Sequence, residues 1–129
     1  MAHYDKYEPY AGGFRALLAA NFPDADLNKV VAIGLDAAGL VVKGKGNTGI
    51  LAVLVISKKN KKAGAVVDNM TQGEIVEFGG VPGSVYYAKE DGTLAVAPLG
   101  VVPVGGTRIG HTAESGRLIV RVIGGAVAA

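Results

Sequence analysis

Residues 61–78, KKAGAVVDNMTQGEIVEF, hold two short apolar runs on either side of a polar stretch. Ala65, Val66 and Val67 precede it, Ile75, Val76 and Phe78 follow it, and Asn69 to Gly73 lie between. β-Branched side chains favour extended backbone, because their crowded Cβ packs well on a pleated surface. The stretch therefore predicts two strands, 65–68 and 74–78, joined by a polar turn. Glu74 and Glu77 stand at an odd separation, which places them on opposite faces of an extended chain. The facing of the second strand is thus open although its strand character is not.

Outward from this stretch the same punctuation continues. Apolar runs at 29–33, 40–43, 50–57, 84–88, 93–97, 107–112 and 117–123 are separated by glycine or proline nearly everywhere. Asp36-Ala37-Ala38-Gly39 and Lys89-Glu90-Asp91-Gly92 each end in the glycine that a type I turn with a bulge requires. Short strands at this spacing, with no helical period between them, predict an all-β fold, a small β-barrel or barrel-like sandwich. Ile50 to Ile56 is an unbroken apolar run and reads as a strand buried on both faces. It falls far short of the roughly 20 residues of a membrane-spanning helix, and the polar start MAHYDKYEPY lacks the layout of a secretory signal, so neither membrane nor leader is expected.

The 129 residues suffice for one domain, which buries about two-thirds of the surface its unfolded chain exposes. Half of them are apolar but tryptophan is absent, so the core has to be aliphatic. The absence of cysteine leaves no disulfide or thiolate chemistry and fits synthesis in a reducing cytoplasm. At about 25 cal/mol per Å² of buried apolar surface, set against chain entropy, such a domain is marginal alone, and association is the natural remedy. Three parts are expected: an arm over 1–26, a barrel-like domain over 27–123 and a small-residue tail, GGAVAA, over 124–129.

The arm differs from the rest. It holds Tyr4, Tyr7 and Tyr10, three of the five tyrosines, and Pro9 argues against a helix through them. After Gly12-Gly13 the positions Phe14, Leu17, Leu18 and Phe22 predict one or two amphipathic helical turns, stopped by Pro23. Such a segment either folds back over its own domain or lies on a partner, where tyrosine supplies large contact area at low entropic cost. These seven aromatic and apolar residues are the candidate partner-binding set.

Charge is uneven. Residues 1–26 carry two positive and four negative side chains, 27–62 carry seven and one, and 63–129 carry four and six. Lys58, Lys59, Lys61 and Lys62 form the densest group, a candidate electrostatic contact, beside Lys43 and Lys45. The alternative is solvated turns whose lysines block edge pairing. No aromatic residue lies between Asn28 and Phe78, so the stacking platform of a single-strand binder is missing and nucleic acid is not an expected partner.

Catalytic constellations are not evident. His3 and His111 are the only histidines, and neither stands in a metal-ligand or triad spacing. In Lys43-Gly44-Lys45-Gly46-Asn47-Thr48-Gly49 the final glycine leads into a strand rather than a helix, and the order of a phosphate-binding loop is not met. No catalytic residue, cofactor or metal is expected, and an enzyme is the weakest function class.

Taken in order, KAGAVVDNMTQGEIVEF (62–78), GSVYYAKEDGTLAV (83–96) and GTRIGHTAESGRLIVRV (106–122) resemble the capsid decoration, or cement, proteins of tailed bacteriophages, in particular the small β-domain type of actinobacterial phages. The resemblance covers about residues 50–123 and rests on the succession of turn and strand phrases rather than on any one motif. It implies a barrel-like domain, a homotrimer on the outer capsid surface, contact with the major capsid protein through a terminal arm, stabilisation of the shell and no enzymatic activity. The alternatives are a small barrel that binds glycan or nucleic acid through the lysine region, or another virion component such as a head-fibre base.

Overall fold

A computed structural model of the chain describes residues 12–58, 61–114 and 116–122. The fold is all-β, a curled half-barrel of antiparallel strands. In chain order the strands are β1 (Gly12–Leu17), β2 (Val30–Leu35), β3 (Val41–Lys43), β4 (Ala52–Val55), β5 (Val66–Val76), β6 (Val85–Ala88), β7 (Leu94–Val96), β8 (Thr107–Glu114) and β9 (Arg117–Arg121). They pair in the order β3-β2-β4-β5-β9-β8-β6-β7, and β1 pairs with β5 off this path. The turns after β2 and β6 are tight hairpins as their sequences predict. Asp36 caps the first by accepting the Ala38 and Leu40 N–H groups at 2.9 and 3.0 Å, and the Lys89 N–H donates to the Thr93 carbonyl across the second at 2.8 Å.

The predicted pair of strands at 65–68 and 74–78 is instead the single eleven-residue strand β5, and the polar residues form no turn. Met70 pairs with Gly13 of β1 and with Val53 of β4, so β1 and β4 flank it on opposite edges. Gln72 likewise sits between Gly12 of β1 and Arg121 of β9. One edge of β5 therefore belongs to β1, and the other is divided between β4 and β9. The polar residues are tolerated because their backbone groups are held by neighbouring strands rather than by a local turn.

The register also resolves the facing of this strand. Gly12 and Gly13 oppose Gln72 and Met70, which leaves Thr71 as an extra residue, a β-bulge. An extra residue exchanges the two faces of a strand beyond it. Val67, before the bulge, packs into one apolar cluster with Leu18, Phe22, Val31, Ile33, Val41, Ala52, Leu54 and Ile56. Ile75, beyond it, packs into the other cluster with Ile50, Val53, Tyr86, Ile109, Leu118 and Val120. β2 and β4 form the wall between the clusters. Val31 and Ile33 face one and Ala32 the other, as do Leu54 and Val53, so this apolar run is buried on both faces as expected except at Val55, which is 41% exposed.

The curl closes through backbone contacts. The Ala32 N–H of β2 donates to the Gly92 carbonyl at 2.8 Å and the Lys45 N–H to the Glu90 carbonyl at 3.0 Å. The β6–β7 turn thus reaches the strand near the far end of the sheet order. Gly92 has φ +93°, and a Cβ there would stand 2.6 Å from the Gly44 nitrogen and 2.7 Å from the Ala32 oxygen. Only glycine satisfies both conditions.

Two stability effects follow. Gly92→Ala is expected to lower unfolding stability by about 3 kcal/mol through backbone strain and overlap, whereas Gly116→Ala, whose Cβ meets nothing within 4 Å, leaves the denaturation midpoint nearly unchanged. Phe22 is 7% exposed, and Phe22→Ala is expected to cost about 3 kcal/mol of unfolding free energy by urea denaturation, the usual loss for a buried phenylalanine.

Candidate functional site

Of the candidate arm residues, Tyr4, Tyr7 and Tyr10 lie outside the described residues, as do Lys59 and the tail 124–129. Residues from Gly12 onward are part of the domain rather than of a separate arm. The helical turns expected for Phe14 to Phe22 are replaced by strand β1 and the irregular segment after it. Phe14, Leu18 and Phe22 are spaced by four, a spacing that fits an amphipathic helix and strand alternation equally well. Pairing with β5 decides between them. Phe14 and Leu18 face the cluster of Val67, and Leu18 and Phe22 are buried there at 2% and 7% exposure. All three contact this chain's own core, Leu18 and Phe22 as buried members and Phe14 as a partly buried one. Leu17, on the opposite face, is 45% exposed.

The docking of this segment is mainly apolar. Burying a large apolar side chain contributes about 1.5–3 kcal/mol, and Leu18 and Phe22 are two of them. Backbone bonds fix the path: the Leu18 N–H donates to the Ala65 carbonyl at 2.9 Å and the Phe22 N–H to the Lys61 carbonyl at 2.7 Å. The Asn21 side-chain oxygen accepts the Ala63 N–H at 2.8 Å.

The same segment meets part of the lysine excess. A 3-10 turn, Asp24–Asp26, presents two carboxylates. Asp24 pairs with Lys61, and Asp26 lies 3.6 Å from the Lys43 ammonium. Lys45 pairs with Glu90 on the closing turn. The positive excess of 27–62 is thus partly neutralised by the negative excess of the N-terminal residues. Lys58 and Lys62 are exposed and make no ion pair among the described residues. The lysine group is divided, with Lys61 structural and Lys58 and Lys62 facing solvent.

The other sequence features take structural places. His111 is exposed on β8, and Glu74 pairs with Arg117 at 3.1 Å. Among the described residues no group of three or more His, Cys, Asp or Glu could hold a metal ion. In the glycine-rich loop, the N–H groups of Gly44, Lys45, Asn47 and Gly49 donate to backbone carbonyls.

Two surfaces escaped the sequence reading. The first is the loop 97–106, APLGVVPVGG, ten residues without a charge. Leu99 is fully exposed, Val101 is 69% and Val104 87% exposed. An apolar loop is itself a signal, since connections over a surface are ordinarily polar. The second is a cleft of about 330 Å³ between β4 and β5, lined by Val53, Leu54, Val66, Met70 and Ile75 among others. It exists because β4 and β5 pair only at Val53 and Met70. Asp68 lies along it and pairs with Arg15 at 2.6 Å.

The Asp24–Lys61 contact has a pH signature. The hydrogen bond from Lys61, and then its charge, hold the Asp24 carboxyl below its ordinary value of 3.8. A carboxyl depressed by folding adds stability above its unfolded pKa, and that contribution fades as pH falls through the folded value. An NMR titration of Asp24 is expected to show a midpoint below 3.8 that rises toward 3.8 in Lys61→Ala.

No protein-family model and no curated protein sequence matches the chain. Among solved structures it is similar to a chain of Mycobacterium phage Patience, with a TM-score of 0.80 and 19% sequence identity over 95% of this chain and 96% of that one. The two share a fold along nearly their whole lengths.

Proposed function

We propose that this chain is a virion structural protein that binds the outer surface of a phage capsid as a homotrimer and stabilises the shell by bridging major capsid protein subunits. The observation that carries this reading is the end-to-end fold likeness to a chain of a mycobacteriophage, in a protein whose strand phrases resemble those of decoration proteins. The described surface adds support. Its exposed apolar residues, among them Leu99, Val101 and Val104, suit protein contacts.

Attachment is assigned to residues 1–11, with Tyr4, Tyr7 and Tyr10 as the apolar contacts. Lys58, Lys59 and Lys62 are proposed to face acidic patches of the shell. A single short arm offers few contacts, so one copy binds weakly. Three arms on one trimer act together, because after the first attaches the others bind at a high effective concentration.

The test is co-sedimentation with shells assembled without this protein. The full chain is expected to bind and to raise the temperature at which the shells rupture. A variant lacking residues 1–11 is expected to keep its β-type circular dichroism and lose binding. A variant lacking residues 1–22 is expected also to unfold at lower temperature, since β1, Leu18 and Phe22 go with it. Wild-type binding by the shorter deletion overturns the role of the arm, and failure of the full chain to bind overturns the capsid reading.

A further inference from the structure

We infer that the loop 97–106 lies on the three-fold axis of the homotrimer, where Leu99 of each copy packs against Leu99 of the other two. The inference rests on the trimeric part of the proposed function and names the surface that lies at its centre. Away from the axis a ring joins two different patches of the chain, but at the axis each residue meets its own copies. Identical charges would be brought together there, and like charges in close contact are costly. A surface that can occupy the axis is therefore uncharged and apolar. The run 92–107, GTLAVAPLGVVPVGGT, is the longest in the chain without a charged residue. It carries Leu99, wholly exposed, with Val101 at 69% and Val104 at 87%.

Other exposed apolar residues suit an axis less well. Leu17 and Val66 pair with each other beside the Arg15–Asp68 ion pair, and Val76 stands next to Glu77 and opposite Arg117. Val81 is a single exposed side chain between Gly80 and Pro82. At the loop, Glu90 approaches only the Gly105 end and is itself paired with Lys45. The loop is also shaped in advance. Its backbone lies against β6, with Gly100 beside Val85 and Gly106 beside Tyr87. The Gly100 N–H donates to the Ala97 carbonyl, the Val101 N–H to that of Pro98 and the Gly106 N–H to that of Pro103, each at 3.0 Å. Leu99 is held at φ 54°, ψ 21°, a left-handed conformation that residues bearing a Cβ seldom adopt. A tip fixed in this way loses little conformational freedom when it packs against its copies.

The absence of cysteine makes the test clean. Three cysteines at one axis can form only one disulfide, so oxidised Leu99→Cys is expected to give covalent dimers that hold at most two of every three chains, read on a non-reducing gel. A trivalent thiol cross-linker is expected to join the same variant into covalent trimers, and Val76→Cys is expected to give neither product. Leu99→Glu sets three carboxylates together at a position that is wholly exposed in the single chain. It is expected to keep its β-type circular dichroism and to shift from trimer to monomer in light scattering. Complete conversion of Leu99→Cys to dimers shows a two-fold contact and overturns the axis. A wild-type trimer that neither cross-links through position 99 nor dissociates in Leu99→Glu overturns this contact while the trimeric reading stands. A wild-type chain that is monomeric both in solution and on shells overturns the axis and the trimer together, and co-sedimentation then decides the capsid reading separately.

Discussion

Strand β5 must hydrogen-bond to three neighbours along two edges, and the rest of the structure depends on how it does so. β1 takes one edge; β4 at Met70 and β9 from Gln72 share the other. Buried backbone groups have to be paired, so a strand with divided neighbours can persist only if the changeover is clean. The extra residue Thr71 marks that changeover. Its carbonyl accepts the Val122 N–H at 2.8 Å, just beyond the end of β9, so the bulge leaves it partnered. By exchanging the faces of the strand, the bulge lets Val67 serve one apolar cluster and Ile75 the other. Without it, one end of β5 would turn its buried residues to water.

Two consequences reach the surface. Because β4 pairs with β5 only at Met70, their separation opens the cleft between them, and β1 on the far edge places Leu17 beside Val66 on the same face. The second cluster lies on the outer face of β2 and β4 and needs a cover. The segment carrying Phe14, Leu18 and Phe22 supplies it. That segment brings Asp24 and Asp26 to the lysines, so charge pairing accompanies the apolar cover. Exposed ion pairs are screened by solvent and add little, and the apolar contacts dominate the docking.

The proposed function suits this construction. A shell-stabilising protein needs a stiff body and several attachment points rather than a reactive centre. The backbone bonds from Ala32 to Gly92 and from Lys45 to Glu90 tie the β6–β7 turn to the β2–β3 hairpin.

The sequence by itself determined the all-β class, the positions of most strands, the hairpin turns at Asp36 and Lys89 and the aliphatic core. These depend on local propensity and turn chemistry, which are written within a few neighbouring residues. It also showed the charge asymmetry, though not that Asp24 and Asp26 answer Lys61 and Lys43. Only the tertiary structure decided that 65–68 and 74–78 are one strand, because the residues between them are held by β1, β4 and β9, which are distant in sequence. Only it decided that Phe14, Leu18 and Phe22 follow strand and loop rather than helix, since a spacing of four satisfies both periods until a partner strand selects one. The exposed loop 97–106 was visible as an uncharged run, yet its exposure depends on which surfaces the remainder of the fold leaves uncovered, and no local pattern carries that information.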